Sequence, residues 1–242
     1  MNAKLAEIME SIQGEGLMVG SRNVFVRFAG CNLRCSYCDT PSSFEANPYC
    51  MISKSAQSDL WEKVSNPLSV SQVVEIIKSY SSKWISLTGG EPLLWAEFIS
   101  EMGNVLKAQG YQLLLETNGT LYDQLEICLP YVDLISMDFK MPSATGEDNW
   151  TEHTEFLKRA GSKPVYIKIV IDKLVNPKEV KDAIGIIASV NRNIPLILQP
   201  ATPVGAIVSP DISTLLDLQK ICLEEIRDVR IIPQLHKLMG LM

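Results

Sequence analysis

The chain has 242 residues, 46% hydrophobic and 21% charged, with a formal net charge of -6. That length suits one undivided α/β domain with a substantial core, and the acidic balance argues against a phosphate-backbone binder, so no nucleic-acid partner is expected. No apolar run approaches the ~20 residues of a membrane span, and the opening MNAKLAEIMESIQGEG lacks the apolar core of a signal peptide, so a cytoplasmic protein with no membrane partner is expected.

In chain order, the amino-terminal run leads into NVFVRFAG (23–30), the first of seven Val/Ile/Leu-rich runs that read as mostly buried strands. The others are WISLTGG (84–90), YQLLLETNG (111–119), VDLISMDFK (132–140), VYIKIVID (165–172), PLILQP (195–200) and VRIIPQ (229–234). A polar stretch of weak periodicity, 41–67, follows the first run; it reads as an excursion, with a short helix around Asp59 to Val64. The segment from Ser69 to Ser79 carries a Ser-x-x-Gln capping box and places Val70, Val73, Val74 and Ile77 on one helical face. Asn176-Pro177 and Ser209-Pro210 read as a polar cap followed by proline at the first helical position.

Strands and helices alternating at this spacing imply parallel strands joined by right-handed crossovers. Eight clean units cannot be counted, so the expectation is a single α/β domain over 1–242. It is a partial, incomplete TIM-type β/α barrel of six or seven mostly parallel strands. In such folds chemistry gathers at the loops after the strands. The unusual residues fall there: the cysteines after FVRFAG, Gly89-Gly90-Glu91-Pro92 after WISLT, Thr117-Asn118-Gly119 after LLLE, and Asp138 and Lys140 after LISM.

CNLRCSYCDT (31–40) puts Cys31, Cys35 and Cys38 inside eight positions. Six cysteines with three clustered suit a reducing compartment and a metal site better than a disulfide framework. Zinc is one reading, with a fourth ligand from elsewhere, but Cys50, Cys128 and Cys222 are scattered singly and His153 and His236 lie far off in sequence. A cubane iron-sulfur cluster on three thiolates, with one iron left open, is the other reading and accounts for the missing fourth ligand.

CxxxCxxC, with Tyr37 before the last cysteine and GGEP on the next predicted strand, resembles the radical S-adenosylmethionine superfamily. Glu10-Ser11-Ile12-Gln13-Gly14-Glu15-Gly16, Arg27, Cys38-Asp39-Thr40 and PQLHK (233–237) resemble the 7-carboxy-7-deazaguanine synthase family from end to end. The resemblance implies a carbon-nitrogen lyase that converts 6-carboxy-5,6,7,8-tetrahydropterin to 7-carboxy-7-deazaguanine with loss of ammonia, toward queuosine and other 7-deazapurines. It implies a 4Fe-4S cluster on Cys31, Cys35 and Cys38, and a magnesium ion on Thr40. S-adenosylmethionine would meet Tyr37, Cys38, Asp39, Gly90, Ser136, Met137, Asp138 and the stretch Gln199, Pro200, Ala201, Thr202. Substrate would meet Ile12, Gln13, Gly14, Glu15, Arg27 and Thr88, with Arg27 on the strand phase opposite Val24, Val26 and Phe28 clamping a carboxylate.

Glu116 and Lys168 are expected at the nucleoside or in a structural salt bridge, and His236 at the pocket or the surface. A flavodoxin- or ferredoxin-like reductant and a homodimer are implied in the same way. The rivals are a glycyl-radical-activating enzyme, which shares CxxxCxxC and GGEP but not SIQGEG or CDT, and a non-catalytic zinc or iron-sulfur module.

Overall fold

Each of the seven apolar runs forms a strand, in a computed structural model that describes residues 1–45, 47–53, 60–161, 163–203 and 205–241. Among the described residues the strands are β1 (Asn2–Ala3), β2 (Leu5–Ile12), β3 (Arg22–Phe28), β4 (Tyr49–Ser53), β5 (Trp61–Ser65), β6 (Leu68–Ser69), β7 (Trp84–Gly89), β8 (Gln112–Thr117), β9 (Leu134–Asp138), β10 (Val165–Ile171), β11 (Leu196–Pro200) and β12 (Val229–Ile231). The helices are α1 (Val70–Lys78), α2 (Ala96–Lys107), α3 (Tyr122–Cys128), α4 (Pro142–Thr145), α5 (Trp150–Ala160), α6 (Pro177–Asn191), α7 (Ile212–Leu223) and α8 (Leu235–Leu238).

Ten strands make one sheet in the order β12-β11-β10-β9-β8-β7-β3-β2-β4-β5, with β1 and β6 paired apart from it. The seven from β12 to β3 are mutually parallel, as expected of crossover units. The sheet starts at β12 and stops at β5 without pairing them, which leaves an incomplete barrel.

Alternation along the strands separates two layers. Ile85, Leu87, Leu113, Leu115, Ile135, Met137, Ile167, Ile169, Leu196 and Leu198 face the helices and belong to the main core. The intervening positions face the concave interior. There Leu114, Tyr166 and Ile197 form a separate buried plug, against which Trp84 and Leu134 pack. Above the plug, towards the ends of the strands, the same phase carries Glu116, Asp138, Lys168 and Gln199. The interior is therefore apolar at its base and polar at its mouth.

Two helix starts are as expected: Ser69 accepts from the Gln72 backbone N–H in a complete capping box, and Asn176 accepts from Lys178 N. The third is not. Asp211, not Ser209, sits at the N-cap position of α7, and the Ser209 hydroxyl donates instead to the Ala201 carbonyl at 2.7 Å.

The helix expected near residues 59–64 is also overturned: Trp61–Ser65 is β5, paired antiparallel with β4 at the sheet edge, while Asp59 lies outside the described residues. Its short β-branched and aromatic content and exposed polar positions suit an edge strand better than one helical turn. Sequence reasoning also passed over β2, whose Glu7 and Glu10 interrupt its apolar pattern. Glu7 pairs with Arg27 across the β2–β3 ladder, and Glu10 accepts from the backbone N–H groups of Ser81 and Ser82.

Candidate active site

One pocket opens at the mouth of the interior, and the cysteine loop after β3 forms one wall of it. Cys31, Cys35 and Cys38 all line it as free thiols, whereas Cys50, Cys128 and Cys222 are buried elsewhere. The loop lies directly on GGEP. Glu91 N donates to the Gly30 carbonyl at 2.8 Å and Gly90 N to the Phe28 carbonyl at 3.1 Å. A Cβ on Gly90 would stand 1.9 Å from that Gly30 oxygen, so only glycine permits the approach. Glu91 turns inward and is fully buried, accepting from Leu93 N at 3.0 Å, Thr117 Oγ1 at 2.7 Å and Asn118 N at 2.8 Å. Burial pushes its carboxyl up to about 7, against the pull of those donors toward the charged form.

The facing wall is charged. Lys168 of β10 is buried and forms an ion pair with Glu15 Oε2, with Asp138 Oδ1 3.5 Å away. Burial alone would raise the Glu15 carboxyl, but the Lys168 ammonium and the Gln234 amide outweigh it and hold it down at about 2. Burial likewise disfavours the charge on Lys168, yet Asp138, Glu15 and Glu116 keep its pKa above the ordinary lysine range. Gln13 donates to Glu116 Oε1 at 3.0 Å, and its own oxygen accepts from Glu15 N at 3.1 Å.

The carboxy-terminal run caps this wall. Leu235 N donates to the Gly14 carbonyl at 2.9 Å, and a Cβ on Gly14 would come within 2.0 Å of His236 Nδ1. Gln234 joins three segments: Nε2 donates to Glu15 Oε1 at 2.8 Å and Asp39 Oδ2 at 3.1 Å, and Oε1 accepts from Thr202 Oγ1 at 2.6 Å.

Thiols, GGEP and SIQGEG thus share one pocket, and the radical SAM superfamily profile matches residues 25–187. The 7-carboxy-7-deazaguanine synthase of Geobacter sulfurreducens is 40% identical over 98% of this chain and 97% of its own length. The chain belongs to the 7-carboxy-7-deazaguanine synthase family of the radical SAM superfamily. The 7-carboxy-7-deazaguanine synthase of Methanocaldococcus jannaschii is 32% identical over 98% of this chain and 100% of its own. The crystal structure of QueE from Escherichia coli shares the fold, with a TM-score of 0.66 at 20% identity over 98% of this chain and 95% of that one.

The chain's own residues fit the groups this superfamily uses, a 4Fe-4S cluster and S-adenosylmethionine. The donor set for iron is three thiols on one loop; burial raises the pKa of Cys31 and Cys35, so their thiolate forms depend on a bound cation. Of the buried polar atoms left without a hydrogen bond among the described residues, Tyr37 OH, Asp138 Oδ1 and Gln199 Oε1 belong to pocket-lining residues. A polar ligand there would satisfy them.

Most residues singled out in the sequence of this family member line the pocket: Ile12, Gln13, Gly14, Glu15, Arg27, Tyr37, Asp39, Thr40, Thr88, Gly90, Asp138, Gln199, Ala201 and Thr202, with the three cysteines. Ser136, Met137 and Pro200 do not, and strand geometry gives the reason. Successive residues of a strand point to opposite faces, so runs such as 136–138 cannot present every side chain to one pocket. Met137 packs into the helix-facing core, Pro200 shares the helix-facing phase of Leu196 and Leu198, and Ser136 lies deeper, buried opposite Tyr166 of β10.

Arg27 reaches the pocket but already holds Glu7, 2.6 Å from its Nε. The Thr40 hydroxyl caps no helix, although its residue begins the 3-10 turn at Pro41–Ser43. Glu116, Lys168 and His236, left open by the sequence, all line the pocket. Gln234 and Asn118 are pocket-lining hydrogen-bond hubs that sequence reasoning missed. Each lies inside a noted motif, but nothing in a linear pattern marks its distant partners.

Proposed function

We propose that this chain is the carbon-nitrogen lyase 7-carboxy-7-deazaguanine synthase. It contracts the ring of 6-carboxy-5,6,7,8-tetrahydropterin and releases ammonia, in the route to queuosine and other 7-deazapurines. The observation that carries the reading is the meeting, in one pocket, of the CxxxCxxC loop with the SIQGEG segment and its carboxy-terminal cap. A glycyl-radical-activating enzyme has no use for the second of these.

Cys31, Cys35 and Cys38 would hold the cluster, and Tyr37, Asp39, Gly90, Asp138, Gln199 and Thr202 would surround S-adenosylmethionine. When bound there and reduced by a flavodoxin- or ferredoxin-like donor, the cluster would supply the one-electron chemistry that cleaves S-adenosylmethionine. The protein's task is to place a single substrate carbon within reach and exclude other hydrogens. Arg27 contributes the guanidinium nitrogens that Glu7 leaves free to a substrate carboxylate. Lys168 keeps Glu15 ionised at every working pH, so Glu15 is a fixed acceptor for the donor edge of a pterin.

Thr40 would give a hydroxyl ligand to magnesium, whose role is to hold the substrate carboxylate. The ligand atoms of Glu15, Asp39 and His236 also lie within 4.8 Å of one another. Gln234 already bridges both carboxylates and Lys168 neutralises Glu15, so this group is a hydrogen-bonded network rather than a chelate. The test is anaerobic reconstitution followed by incubation with the carboxytetrahydropterin, S-adenosylmethionine and a reductant. Product with the mass of 7-carboxy-7-deazaguanine is expected; zinc bound without sulfide would reject the reading.

A further inference from the structure

We infer that Asn32, Asn118 and Thr120 are positioning residues for the cluster: a closed ring of three side-chain hydrogen bonds holds the turn between Cys31 and Leu33, so that Leu33 N–H points at the Cys31 sulfur. Asn118 Nδ2 donates to Asn32 Oδ1 at 2.8 Å, Asn32 Nδ2 to Thr120 Oγ1 at 2.8 Å, and Thr120 Oγ1 to Asn118 Oδ1 at 2.7 Å. Every member both donates and accepts, so each bond polarises the next and the ring acts as a unit.

The ring has a rigid base. Asn118 N donates to Glu91 Oε2 at 2.8 Å, and His153 Nε2 donates to the Asn118 carbonyl at 3.0 Å. Asn118 and Thr120 are buried, whereas Asn32 stands open to solvent. A solvent-exposed amide on a loop is ordinarily hydrated; here both of its polar ends are spent on buried partners 86 and 88 residues away. The residue so held separates Cys31 from Leu33, whose N–H lies 3.5 Å from Cys31 Sγ.

Hydrogen bonds to cluster sulfurs help set the reduction potential, because the positive end of an N–H dipole favours the more negative, reduced state. The ring carries no net charge. Its effect on the potential therefore runs chiefly through how it holds the Leu33 N–H dipole against Cys31 Sγ.

This inference rests on Cys31, Cys35 and Cys38 holding the cluster, and the experiment separates the two. In reconstituted protein, the midpoint potential and the rate of iron release to a chelator are measured for wild type, Thr120→Val, Thr120→Ser, Asn32→Ala and the double variant Asn32→Ala/Thr120→Val. Thr120→Val and Asn32→Ala should each shift the potential negative and speed release about tenfold, the size of one net hydrogen bond. The double variant should do no more than either single one, since one broken link opens the ring, and Thr120→Ser should match wild type.

Retention of a cluster by Thr120→Ser but not by Thr120→Val is the same result in its extreme form. Wild-type potential and release in Thr120→Val, effects that multiply in the double variant, or a Thr120→Ser that behaves like Thr120→Val would overturn the inference. Failure of the wild type itself to take up a cluster would overturn the cluster assignment beneath it.

Discussion

The two walls of the pocket solve different problems with different chemistry. The cysteine wall is tied by backbone N–H groups, a glycine-only approach and a neutral amide-hydroxyl ring, and its one buried acid, Glu91, is saturated by three donors. The facing wall gathers Lys168, Glu15 and Asp138 as ion-paired charges beside Glu116, whose carboxyl burial pushes up. A loop that, on the proposed reading, would carry an anionic cluster gains rigidity from neutral groups without adding repulsion. On the same reading, the facing wall would meet a polar heterocycle with the Lys168–Glu15 ion pair already formed before it arrives.

The comparison is most easily broken at the sulfurs. Replacing Cys31, Cys35 or Cys38 by Ala should abolish the paramagnetic reduced state and all cofactor cleavage, while Cys50→Ala, Cys128→Ala and Cys222→Ala retain both. Loss in Cys50→Ala with survival in Cys35→Ala, read by electron paramagnetic resonance, would contradict the assignment.

On the charged wall, Lys168→Met takes the ion-pair partner from Glu15 and a neighbouring cation from Glu116, while Asp138 keeps Lys140 at 3.1 Å. It should cost about 3–5 kcal/mol of stability in denaturant unfolding, and adding Glu15→Gln should restore part of that. A loss under ~1 kcal/mol would mean that the wall is far better solvated than its burial implies.

The third prediction tests the neutral side by pH. Burial lowers the pKa of His153 from 6.5 to about 4, so between those values the unfolded chain binds a proton that the folded chain refuses. The stability contributed by a neutral His153 is complete above pH 6.5 and lost as pH falls toward 4. His153→Gln removes that dependence. Its penalty relative to wild type, measured by unfolding of cluster-free protein, should therefore be larger at pH 7 than at pH 5 by roughly 2 kcal/mol. An equal penalty at both would show that the histidine is not held neutral.

The smallest effect is expected at the junction of the walls. Thr40→Val keeps the shape but removes the hydroxyl, so turnover should fall about tenfold, the equivalent of one lost ligand interaction, and lose most of its magnesium dependence, with the cluster signal unchanged. Undiminished magnesium stimulation would move that metal elsewhere.

The sequence was most legible where information is local. Seven apolar runs, the capping box at Ser69 and the spacing of Cys31, Cys35 and Cys38 depend on near neighbours, and the structure has each of them. β2 and β5 were obscured because strand pairing, not their own pattern, specifies them: Glu7 and Glu10 are tolerated in β2 only through Arg27 and the Ser81–Ser82 amides. Met137 and Pro200 turn their side chains to the helix-facing layer because alternation presents only every second side chain of a run to the pocket, which leaves their backbone groups as what they could offer a ligand. Gln234 and Asn118 could not be read as hubs, since their partners lie as far as 219 and 86 residues away.

The central claim is that the pocket sets the cofactor-derived radical against one carbon of the pterin, the carbon bearing the carboxylate held by Arg27 and the Thr40-bound magnesium. Substrate deuterated at carbon 6, incubated with reconstituted protein, S-adenosylmethionine and reductant, tests it through the mass of the 5'-deoxyadenosine formed. The account predicts deuterium in that product, with less transfer in Arg27→Ala. Unlabelled 5'-deoxyadenosine recovered alongside normal 7-carboxy-7-deazaguanine would contradict it.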